Sequence, residues 1–157
     1  MSMWVNLVQV SPELLGKIVN KPAMLDAMLF DEGDPGIAGF DGAADVYGED
    51  YRHMFVPYFE FVAEQAGGDP DDFESCEAVT KDPMYRAITG GQELEYEFCY
   101  GPASYNDNKT VRAISDDWDG QFSAEELANE SERPDIALFL FCKKAAEQGR
   151  AVICGIS

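Results

Sequence analysis

The spacing of apolar and polar residues changes several times along this chain, and each change predicts an element. Residues 3–10 alternate and are rich in Val, Leu and Trp, which predicts a strand. At Ser11-Pro12 the period lengthens. Ser is a good N-cap and Pro fits a first helical turn, so a helix starts there with Leu14, Leu15 and Ile18 on one face. Asn20-Lys21-Pro22 restarts a second short helix whose apolar face is Met24, Leu25, Met28 and Leu29. Residues 31–48 hold five Gly, one Pro and five acids and read as a long loop. From 49 to about 65, Tyr51, Phe55, Tyr58, Phe59 and Val62 recur at helical spacing. Pro57 lies inside that run and predicts a kink or two shorter pieces. Residues 67–72 are a second acidic break.

Asp82-Pro83 starts a helix through Tyr85, Ala87 and Ile88 that stops at Gly90-Gly91. Residues 93–100 alternate Leu94, Tyr96, Phe98 and Tyr100 with Glu93, Glu95, Glu97 and Cys99, the pattern of a half-buried strand with its acids on the wet face. Gly101-Pro102 is expected to turn the chain. Asn106 or Asp107 caps a helix through Val111 and Ile114. Ser123 with Glu126 forms a capping box ahead of Leu127. Pro134 begins the longest helix, which runs to about Gln148 with most of its girth apolar. Gly149 ends it, and residues 151–156 form a short buried strand. There are no internal repeats. The fold predicted is α+β, a mostly helical single domain over 1–157. Its small sheet includes both the N-terminal and C-terminal strands, and an acidic, loop-rich insert spans about 31–77.

Composition adds one large fact to this picture, the charge. Thirty acidic residues face eleven basic ones, a formal net of −19 and a pI near 4.1. A field of that sign repels nucleic-acid phosphates and anionic membranes and attracts basic proteins. Residues 31–77 contain fourteen acids and one base, Arg52, whereas 84–157 contain thirteen acids and seven bases. A general solubility device, the simplest alternative, would be spread more evenly. At 157 residues the chain can bury roughly 68–70% of its unfolded surface, so folding requires neither disulfide nor metal.

The four cysteines, Cys76, Cys99, Cys142 and Cys154, form no C-x-x-C pair. Cys99, Cys142 and Cys154 sit in apolar runs and read as small core residues. Cys76 lies between Glu74 and Glu77, a poor setting for a thiolate. The start of the chain lacks a basic region followed by an apolar core, and no stretch approaches 18 apolar residues. No signal peptide or membrane span is expected, and the location expected is cytoplasmic.

Four places resemble the YfbM-like family of small bacterial proteins, a domain of unknown function. They are the opening Met1-Ser2-Met3 with its strand and Val10-Ser11-Pro12-Glu13; Asp82-Pro83 with the helix to Gly90-Gly91; Tyr100-Gly101-Pro102-Ala103-Ser104-Tyr105 with the helix at Val111; and the closing helix with Gln148-Gly149 and a terminal strand. Together they cover about two thirds of the chain. The resemblance implies an α+β fold and a cytosolic setting. It supplies no catalytic residue. Residues 31–75 depart from the family by being far more acidic.

Candidate chemistry is sparse. The single histidine, His53, has no nucleophile motif beside it and reads as a packed helix residue. Residues 115–126 approximate a calcium loop: Asp117 and Asp119 fall on positions three and five, Gly120 on six, Phe122 on eight and Glu126 on twelve. Ser115 stands where the first carboxylate belongs, and a helix–turn–helix with Ser123 as cap explains the same residues. No metal, cofactor or catalytic residue is therefore expected.

The leading functional expectation is a non-enzymatic, acidic protein-binding inhibitor. Its concrete form is an immunity protein that blocks the positively charged active cleft of a cognate bacterial toxin; no nucleic acid or membrane partner is expected. The residues expected to carry it are Asp31, Glu32, Asp34, Asp41, Asp45, Tyr47, Glu49, Asp50, Asp69, Asp71 and Asp72, with Phe40, Tyr51 and Phe73 as further aromatic anchors. The alternative is a small cytosolic enzyme or ligand-binding protein with a pocket near Tyr100 and Tyr105. A weaker third reading is a nucleic-acid mimic with carboxylates spaced like phosphates.

Overall fold

A computed structural model of the chain describes residues 4–25, 51–55, 77–98, 101–128 and 134–156. Strand β1 (Trp4–Val10) leads to helix α1 (Pro12–Asn20). The Ser11 hydroxyl accepts from Leu14 N at 3.2 Å, which satisfies a first-turn donor that has no partner within the helix. Helix α1 buries Leu15 and Ile18, and Met24 and Leu25 are buried just beyond it.

Strand β2 (Tyr51–Phe55) lies antiparallel to β1, with Trp4 opposite Phe55 and Val8 opposite Tyr51. This corrects the helix expected from residue 49 onward, at least over 51–55. Tyr51, His53 and Phe55 satisfy a period of two as well as the wider spacing satisfies a helix, and pairing with a strand more than forty residues away selects the extended form. The remainder of that expected helix, the loop at 31–48 and the break at 67–72 lie outside the described residues.

Helices α2 (Glu77–Lys81) and α3 (Pro83–Thr89) follow. The Asp82 carboxylate caps α3 by accepting from Met84 N at 2.9 Å. Strands β3 (Gln92–Phe98) and β4 (Gly101–Asn106) make a hairpin. Here too the structure corrects an expectation: Gly101-Pro102 opens β4 instead of turning the chain. Phe98 pairs with Gly101 and Glu97 with Pro102, which puts both Gly101 and Pro102 in the ladder. Proline is tolerated so near a strand's beginning, where a missing donor costs little.

Asp107 caps helix α4 (Asn108–Trp118), its carboxylate accepting from Thr110 N at 2.8 Å. The expected capping box is present at α5 (Ala124–Leu127), where Ser123 and Glu126 satisfy each other's backbone N–H groups. Helix α6 (Pro134–Glu147) is the longest described, and β5 (Ala151–Ile156) ends the fold.

The five strands run in the order β2-β1-β5-β4-β3, every neighbouring pair antiparallel. The fold is α+β, helix exceeds strand among the described residues, and β1 and β5 lie side by side within the sheet. One sheet face carries Leu7, Val152 and Cys154 against α3, α4 and α6, in a core that includes Ile88, Ile114, Trp118 and Phe139. The Trp118 and Phe139 rings meet edge to face at 5.5 Å between centroids. The other face carries Val8, Val10, Leu94, Ala103, Ala151 and Ile153 against Leu15, Ile18, Met24 and Leu25. Each large side chain so buried contributes about 1.5–3 kcal/mol.

Cys142 and Cys154 are free thiols in the first core. Burial pushes the Cys142 thiol up to about 12 and raises Cys154 as well, with the neighbouring Cys142 adding to the rise; the Cys154 thiol donates to Ala87 O. Cys76 and Cys99 lie outside the described residues. Among those described, no helix is long and apolar enough to cross a membrane.

Candidate functional site

The described surface with the clearest chemical character is the outer strand of the hairpin. Alternation along β3 buries Leu94 and half-buries Tyr96, and it leaves Glu93, Glu95 and Glu97 exposed. Glu93 pairs with Ser104 and Glu97 with Pro102, which places those two on one sheet face; Glu95, between Leu94 and Tyr96 of the other face, is exposed within the stretch where the pairing shifts. Toward the middle of the sheet the face of Glu93 and Glu97 is covered by α3 and α4, but β3 lies beyond that cover. The three carboxylates form no ion pair among the described residues. The register with β4 shifts between Glu93 and Glu97, a bulge of the kind common on edge strands.

A tightly joined corner holds the hairpin to α3. Gly91 N donates to Asn106 Oδ1 at 2.8 Å and to Tyr105 O at 3.0 Å, and Asn106 Nδ2 donates to Arg86 O at 3.0 Å. Gly90 has φ +62, and a Cβ there would stand 2.4 Å from Ser104 Oγ. Only glycine lets the helix end approach β4 so closely. Arg86 also pairs with Asp117 at 2.6 Å, tying α3 to α4.

Tyr105, one half of the alternative pocket, is half-buried on β4 and donates its phenol to Gln92 Oε1, the residue opposite it in the hairpin. Its hydroxyl is thus engaged within the sheet. Tyr100 lies outside the described residues. The carboxyl group beside this corner, Asp107, is held below the usual carboxylate range, chiefly by the Thr110 N–H it accepts at the helix cap. Its ionised state belongs to capping.

The residues of the calcium-like pattern make other contacts. Helix α4 runs through Ser115 and Asp117 to Trp118, and Ser115 is buried. Asp117 meets Arg86, Asp119 lies 3.9 Å from Lys143 Nζ, and Glu126 closes the capping box. Among the described residues no three His, Cys, Asp or Glu side chains converge as metal ligands would.

The residues expected to bind a partner, Asp31, Glu32, Asp34, Asp41, Asp45, Tyr47, Glu49, Asp50, Asp69, Asp71 and Asp72, all lie outside the described residues, as do Phe40 and Phe73, while Tyr51 is on β2. His53 is on strand β2, opposite Asn6, and not on a helix. The β3 carboxylates were legible as a wet face. What the sequence did not reveal was that their strand is the outermost among the described residues.

No family model matches the chain, and no curated protein matches it. Among solved structures it is similar to that of YfbM from Escherichia coli, a protein of unknown function, with a TM-score of 0.50 and 13% sequence identity over 100% of both chains. The chain has a YfbM-like fold, and at this identity the likeness concerns the fold alone.

Proposed function

We propose that the protein is an acidic protein-binding inhibitor, an immunity protein that neutralises a bacterial toxin by covering its positively charged active cleft. The observation that carries this reading is the row Glu93, Glu95 and Glu97, exposed and without ion pairs among the described residues, on a chain of net charge −19. Carboxylates held on a rigid strand present a fixed negative surface, which accelerates encounter with a cation-rich cleft and orients it. Occlusion requires no catalytic group on the inhibitor. The acid-rich stretch at 31–77 adds to the same field.

The test is co-expression with the product of the adjoining gene. The reading expects a stable complex whose association rate falls steeply as salt rises while dissociation changes little. Relief of toxicity in cells by the intact chain, lost when the acids at 31, 32, 34, 41 and 45 are neutralised together, would support it. A neighbouring gene of plainly metabolic function, with no complex formed, would overturn it.

A further inference from the structure

We infer that Glu93, Glu95 and Glu97 keep the outer edge of β3 from pairing with the same edge of a second copy of this chain. Strand β3 hydrogen-bonds to β4 and, among the described residues, to no strand on its other side. An edge of this kind presents a row of free N–H and C=O groups that can template another strand. Its opposite face offers Leu94 and Tyr96, which two joined copies would continue from one core to the next. The apolar face favours union, and so does the backbone on either side of the irregular stretch between Glu93 and Glu97.

The carboxylates oppose it, because parity sets two of them together in every such register centred on positions 93 to 97. When two β3 strands meet antiparallel about a two-fold axis, a register that keeps the two apolar faces continuous sets even positions against even and odd against odd. With the axis at position 95, Glu95 faces Glu95 of the second copy and Glu93 faces Glu97. With the axis at 94 or 96, Glu93 faces Glu95, or Glu95 faces Glu97. Directly opposed Cβ atoms lie only about 4.5–5.5 Å apart, where like charges destabilise the pair. Slipping by one residue relieves the clash but turns Leu94 onto the wet face. The two-residue register shift within β3 keeps Glu93 and Glu97 on one face. The inference is independent of the toxin reading.

Sedimentation tests it. Variant E93Q/E95Q/E97Q is expected to dimerise with a dissociation constant at least about tenfold lower than that of the parent at the same ionic strength, and amides 92–98 are expected to gain protection from hydrogen exchange on dimerisation. A control, E13Q/D116N/E147Q, removes the same charge from exposed positions elsewhere and is expected to match the parent. Variant E93K/E95K/E97K mixed with the parent is expected to give a one-to-one heterodimer that neither forms alone. The parent in about 1 M salt, where screening falls to about 3 Å, supplies a test that needs no variant and is expected to shift toward dimer. The inference is overturned if the Gln variant and the mixture both stay monomeric, if the control associates equally, or if the new protection lies outside 92–98.

Discussion

Strands β5 and β3 share a sheet and are separated by one strand, but they meet opposite environments. In β5, Ala151 to Gly155 are all buried, with Val152 and Cys154 facing the α3, α4 and α6 layer and Ile153 facing the α1 side. In β3 one face is covered and the other is wet. A strand between two covered faces reads as a continuous apolar run, and a strand at the margin reads as alternation. The comparison shows that position within the sheet, more than strand propensity, sets how much each side chain is worth.

The comparison can be broken most severely from the centre. Ile153→Ala is expected to cost about 2–5 kcal/mol in urea unfolding, because a cavity opens between the sheet and α1. Next comes the joint between helix layer and hairpin. Gly90→Ala should destabilise by more than about 1 kcal/mol, since both its φ of +62 and its contact with Ser104 resist a Cβ. Gly101→Ala, where φ is +99 but the space is open, should cost less. The pair separates steric contact from backbone strain.

Asp107→Ala is expected to cost about 1 kcal/mol through loss of the α4 cap. Its pH signature has a definite sign. The folded carboxyl lies below its unfolded value of 3.8, so its contribution is present above that value and disappears as pH falls through the lower folded one. Asp107→Asn keeps an acceptor and should flatten stability against pH in that acid window. The smallest effect belongs to the edge: Glu95→Ala should change stability by no more than about 0.5 kcal/mol. A large loss at Glu95 would mean that β3 is more deeply embedded than its exposed acids indicate.

One residue sharpens the contrast from inside. Gln9, on β1, is buried; its Nε2 donates to Phe141 O at 3.2 Å while its Oε1 has no partner among the described residues. A polar amide at the centre is expensive where three carboxylates at the margin are not. Gln9→Leu is accordingly expected to be neutral or stabilising by thermal unfolding, despite removing a hydrogen bond.

Local chemistry was readable from residue order. Ser11, Asp82 and Ser123 cap the helices they were expected to cap, and of the two candidates Asn106 and Asp107 it is Asp107 that caps α4, because a cap needs only one side chain and the turn beside it. The β3 alternation was readable for the same reason. Tyr51–Phe55 was misread because its aromatic spacing fits two periods, and the choice between them lies in its pairing with β1. Gly101-Pro102 was misread because both residues favour turns, yet pairing with Glu97 and Phe98 draws them into the ladder.

Residue order was enough for the α+β class, the caps, the two terminal strands and the wet face of β3, since each follows from patterns within a few residues. Long-range packing set the strand order, the strand state of Tyr51–Phe55, the contacts that Asp117, Asp119 and Glu126 make, and the position of β3 at the margin of the described sheet. Those depend on which distant segments meet, and that is settled by the joint burial of two sheet faces that no local stretch of the chain specifies.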